Sequence, residues 1–142
     1  MSKRRWLPTF ADLIDRLTIH QLKEVFITDK KSEYASDMAD MEHDLNLLIG
    51  DKDIKLTGEL IRSIIAIAQM NAHIWYNESK ARSGKDQDIS KLKLTHGLNG
   101  IRNNLMNKIK MISGESNRLD WKIDCLASEF NDWKISILKN KK

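Results

Sequence analysis

Cysteine occurs once in this 142-residue chain, as Cys125, and proline once, as Pro8. A lone cysteine excludes an internal disulfide framework and any multi-cysteine zinc site, so a reducing, cytoplasmic setting is expected. One proline and six glycines supply too little turn chemistry for a strand-rich fold, which needs a break about every eight to twelve residues. Long apolar runs are missing too. The most apolar window, residues 60 to 75, is interrupted by Arg62, Gln69, Asn71 and His73, and the basic start MSKRRWLPTF has no apolar stretch behind it. Neither a membrane span nor a secretion signal is expected. There is no Gly-rich phosphate loop, G-x-S-x-G or Rossmann fingerprint, and His20, His43, His73 and His96 lack zinc spacing. These gaps remove the common motif-bearing enzymes and leave a binding protein as the first reading.

The residues present, 41% hydrophobic and 31% charged, describe one domain large enough for a real core. Its expected parts are a basic arm (1–8), a bundle core (9–112) and a C-terminal amphipathic helix with a basic tail (113–142). The net charge is +4, and both ends are basic: Lys3, Arg4 and Arg5 open the chain, and Lys139, Lys141 and Lys142 close it. Such ends attract anionic partners and leave nucleic acid open, although basic and aromatic residues do not interleave and no helix-turn-helix or zinc finger is present.

Apolar periodicity predicts an all-α fold, an antiparallel bundle of four to five helices. A first helix spans about Thr9 to Ile27, with Thr9 and Asp12 spaced as an N-terminal capping pair. A second runs from Ser32 to just before Gly50, with a seam of Tyr34, Met38, Met41, Leu45 and Leu48. Thr57 opens a third, reaching about Arg82, apolar on nearly every side and so expected at the centre. The polar loop at residues 83–86 returns the chain into a fourth, about Asp88 to Ile112. After SGESN, the residues Leu119, Ile123, Leu126, Phe130, Trp133 and Ile137 predict a fifth. Two heptad seams, on the second and fifth helices, exceed what one short bundle easily buries, so a homo-oligomer, most simply a dimer, is expected.

Within the third segment, NAHIWYNESKAR places Asn71, Trp75, Glu78 and Arg82 on one helical face. Pairing across the hairpin sets Asn99, Arg102 and Asn103 of the fourth helix, and the turn containing His96, beside that face. Two readings follow. In one, these side chains form a polar seam, with Asn amides bridging helices and Glu78 paired to Arg82. In the other they line a pocket, where Trp75 offers a stacking surface and Arg102 or Arg82 meets an anion such as a nucleotide phosphate.

DLIDRLTIHQLK at residues 12–23, the N-x3-W-x2-E-x3-R pattern at 71–82 and N-x2-R-N at 99–103 resemble a family of short helical proteins of bacterial and phage genomes. The resemblance spans about residues 9–112 in three blocks. It implies a helical fold and places Asp12, Asp15, Arg16, Asn71, Trp75, Glu78, Arg82, Asn99 and Arg102 at family-type positions; it implies no activity. Were the chain phage-encoded, its setting would be the host cytoplasm.

A second constellation is acidic. Glu33, Asp37, Asp40 and Asp44 follow the same i, i+4, i+7, i+11 spacing, and such an oxygen-only row suits Mg²⁺, as in all-α nucleotide pyrophosphohydrolases. Those enzymes need a second carboxylate pair on a facing helix, and only Glu59, Glu78, Asp86 and Asp88 are on offer. A solvated acidic face is the simpler reading. Three functions remain in view: a non-catalytic oligomeric protein holding an anionic small molecule without a cofactor, a protein-binding adaptor or inhibitor, and a Mg²⁺-dependent hydrolase.

Overall fold

Thr9 stops the chain from being helical one residue too early. Its hydroxyl accepts from Asp12 N–H at 3.2 Å, and the Asp12 carboxylate accepts from Thr9 N–H at 3.1 Å, a reciprocal cap. In the computed structural model, which describes residues 7–82, 89–115 and 135–138, this cap starts α1 (Phe10–Phe26). Helices α2 (Lys31–Asp51), α3 (Gly58–Arg82) and α4 (Ile89–Ile112) follow, and a single 3₁₀ turn lies at Ser136–Leu138. The described chain is all-α, as the periodicity predicts. Thr57 caps α3 by accepting from Leu60 N–H at 3.1 Å. The basic arm, the 83–86 loop and most of the fifth segment lie outside the described residues.

Helix α2 and helix α4 end in the same way. After α4, Gly114 N–H donates to Met111 O at 3.2 Å and Glu115 N–H to Lys110 O at 2.8 Å, with Gly114 at φ +79°. This is a Schellman cap, which needs one left-handed residue. After α2, Asp53 N–H donates to Gly50 O at 3.4 Å and Ile54 N–H to Ile49 O at 3.1 Å, and here Asp53, at φ 48°, takes the left-handed place. Ile54 then folds back onto the core.

The core is built from one face of each helix: Phe10, Leu13 and Ile14; Leu45 and Leu48; Leu60, Ile67, Met70 and Ile74; Leu98, Ile101, Leu105, Met106 and Ile109. Ile135, Ile137 and Leu138 close over it from the C-terminal side. Helix α3 pairs most extensively with α4, but α1 is the helix that packs on all three others. The centre is thus α1 rather than α3. Helix α2 packs on α1 and has no comparable packing with α3 or α4, and one flank of α3 carries apolar residues, Ile61 and Ile65, that stand exposed among the described residues. No described helix is long and apolar enough to cross a membrane.

Candidate functional site

The polar residues singled out in α3 and α4 are brought together, with a partner from α1. Asn71, buried, donates from Nδ2 to Asp15 Oδ1 at 2.8 Å and to Thr18 Oγ1 at 2.7 Å. The Thr18 hydroxyl in turn donates to Asp15 O at 2.7 Å. On the other side of Asp15, Arg102 brings an NH group to 3.8 Å from Oδ2, and its second NH donates to Asn103 Oδ1 at 3.4 Å. Asp15 is therefore shared between α3 and α4. A carboxylate shielded from water is costly unless paired, and here two helices supply the donors.

The guanidinium is the least settled member. Both of its polar contacts are long, its Nε is shielded from solvent without an acceptor, and the side chain keeps 24% of its exposure. Asn99 is half-buried on α4, Trp75 half-buried on α3, and Glu78 exposed. Arg82 ends α3, and its side chain, hence the Glu78–Arg82 pair, lies outside the described residues. Of the sequence candidates, Asn71, Arg102 and Asn103 join the Asp15 network, and Trp75 lines a groove between α1 and α3.

The acidic row of α2 is solvated. Glu33, Asp37, Asp40 and Asp44 are all exposed, and Asp37 meets His20 Nε2 at 3.4 Å. No group of three metal-binding side chains occurs among the described residues.

Sequence reasoning did not single out a second buried polar group. Glu115 is delivered by the left-handed turn at Gly114 to the start of α1, where Oε1 accepts from Phe10 N–H at 2.9 Å and lies 3.3 Å from the Ser113 hydroxyl. A carboxylate at a helix N-terminus meets both the unpaired N–H groups and the positive end of the dipole. Nearby Lys110 is almost completely buried, at 1% exposure. Its place beside Ile109 and Met106 of the apolar stripe was the available sequence signal.

The open spaces lie elsewhere, on either side of Leu22. One is a trough of about 650 Å³ floored by Leu17, Leu22 and Val25 of α1, walled by Ala35, Met38 and Ala39 of α2, and closed on the third side by Ala68 of α3. Its lining carries two ionisable groups, Glu24 and Glu42, both carboxylates. The other is a groove of about 1010 Å³ between the C-terminal halves of α1 and α3, lined by Leu22, Phe26, Met70, Ala72, Trp75 and Tyr76 with Gln69, His73 and Ser79 at its polar edge. Around them Val25, Phe26 and Tyr76 stand 56%, 64% and 57% exposed. Large apolar side chains clustered in the open mark interaction surfaces. No protein-family model, curated protein or solved structure matches the chain.

Proposed function

We propose that this chain is a non-catalytic helical interaction protein that docks an amphipathic helix of a partner along the apolar strip around Leu22. The observation that carries this reading is the exposure of Val25, Phe26 and Tyr76 beside two adjoining grooves. Open grooves of this kind between helices suit a helix that inserts side chains at i, i+4 and i+7. The small walls Ala35, Ala39 and Ala68 let a docked backbone come close. Meanwhile Asn71 and Asp15 are occupied with each other, which weakens the case for a ligand pocket at that point.

A display selection of randomised helical peptides against the immobilised chain tests the reading. Peptides with spaced apolar anchors should be enriched on the wild type and lost on Val25→Ser combined with Phe26→Ser, while the melting temperature stays put because both side chains are already exposed. Selection without such a pattern, or enrichment indifferent to the double variant, would sink it.

A second reading, an anionic small molecule such as a nucleotide held at Arg102, is favoured by the shielded Nε and the two long contacts. A ligand at a hundred times its Kd adds about 2.7 kcal/mol to stability. Nucleotides should then raise the melting temperature of the wild type and not of Arg102→Ala; no shift in the wild type removes this reading.

A further inference from the structure

We infer that the α1–α2–α3 trough takes a cationic amphipathic helix, an inference that rests on the helix-docking reading above and specifies the chemistry of the partner. The floor and walls are apolar or small, so affinity there comes from buried aliphatic anchors. Selectivity comes from the ionised groups at the edge. Glu24 is contributed by α1 and Glu42 by α2, and no cationic side chain lines the space. A docked helix therefore meets a carboxylate from each of these two helices.

The helix that bears Glu42 reinforces this. Lys31–Asp51 holds six carboxylates, Glu33, Asp37, Asp40, Glu42, Asp44 and Asp51, against one lysine, in a chain whose net charge is +4. All six are exposed. The row from Glu33 to Asp44 runs on the side of α2 turned away from the trough and makes no contact with an occupant there. Its role is to set a local negative field that attracts basic helices and repels acidic ones, in contrast to the chain as a whole. The ammonium of Lys31 is held by the Glu24 backbone carbonyl rather than by its carboxylate. Glu24 Oε1 accepts only from the neutral Gln21 amide, at 3.0 Å.

Three synthetic helices carrying the same leucine anchors, with lysine, glutamine or glutamate on the flanks, discriminate the possibilities by fluorescence anisotropy on the full chain. At low salt the lysine helix should bind on the order of tenfold tighter than the glutamine helix, and the glutamate helix weaker still. That spread should collapse as salt approaches 1 M, where the Debye length is about 3 Å. Glu24→Gln with Glu42→Gln should remove most of the spread, leaving only the part due to the acidic row, and should leave the glutamine helix unaffected. Ala39→Trp, at an exposed position that tolerates bulk, should fill the trough and abolish all binding.

Equal binding of the three helices overturns the cationic partner and leaves helix docking standing, whereas no binding by any of them overturns both. Binding that survives Ala39→Trp overturns the location. Self-association of the chain lost on Ala39→Trp would give the trough to a second copy and likewise overturn the inference.

Discussion

Asp15 owes its tolerance inside the bundle to two residues of unequal value. The Asn71 amide is buried and makes short hydrogen bonds, at 2.8 and 2.7 Å, whereas Arg102 approaches at 3.8 Å and stays partly wet. Breaking a fully buried ion pair costs about 3 to 5 kcal/mol, but exposure and distance reduce this pair to about 1 kcal/mol. Stranding buried acceptors costs about 1 to 3 kcal/mol. Asn71→Ala should therefore destabilise the fold more than Arg102→Ala does, measured by urea titration; the reverse order would show that the charge pair is the true anchor. A second residue-scale test sits at Asp53, whose φ of 48° is a conformation glycine adopts more readily. Asp53→Gly should raise stability by about 0.5 kcal/mol in the same titration, and a loss would show that the aspartate has an offsetting local role.

At the scale of helices, periodicity was a good guide to the elements and a poor one to their arrangement. The seam of α2, the caps at Thr9 and Thr57 and the four described helices follow directly from spacing, because a helix must bury one stripe and satisfy its first N–H groups locally. Which helix sits at the centre does not follow. An apolar circumference in α3 reads as burial, yet part of it faces open grooves. The partner of Asn71 was equally hidden, since the hairpin argument sets Asn71 beside α4, whereas the short contact comes from α1, 56 residues earlier. Asp15 beside Ile14 and Arg102 beside Ile101 do each place a charge at the border of an apolar stripe, and two such charges of opposite sign are a pairing signal. Glu115 was invisible because its position depends on the turn at Gly114. One consequence of the packing is uneven stability: among the described helices, α2 packs closely only on α1. Amides of Met38–Leu48 should exchange with solvent through a smaller opening than those of Ile101–Ile109, by about 1 kcal/mol or more. Equal protection across both helices would contradict this.

For the molecule as a whole, the expected dimer seam on α2 is spent internally, since Met38, Leu45 and Leu48 are buried. The proposed self-association would have to use other apolar surface, and Leu47, Ile49, Leu56, Ile61 and Ile65 stand exposed around the α2–α3 connection. Ile61→Asn with Ile65→Asn should yield a monomer in sedimentation at tens of micromolar with an unchanged melt; an oligomer that persists must be held by different residues. The seating of α2 chiefly on α1 has a further outcome. A helix lying in the trough touches α1, α2 and α3 at once and so binds only while α2 is in place. Its binding free energy then adds to whatever holds α2 down, and anything that loosens α2 weakens the complex by lowering the fraction of molecules in which α2 is in place. Leu45→Ala, outside the trough, should thus cost affinity it never contributed by contact, and trypsin cleavage after the exposed Lys52 and Lys55 should slow whenever the partner is bound.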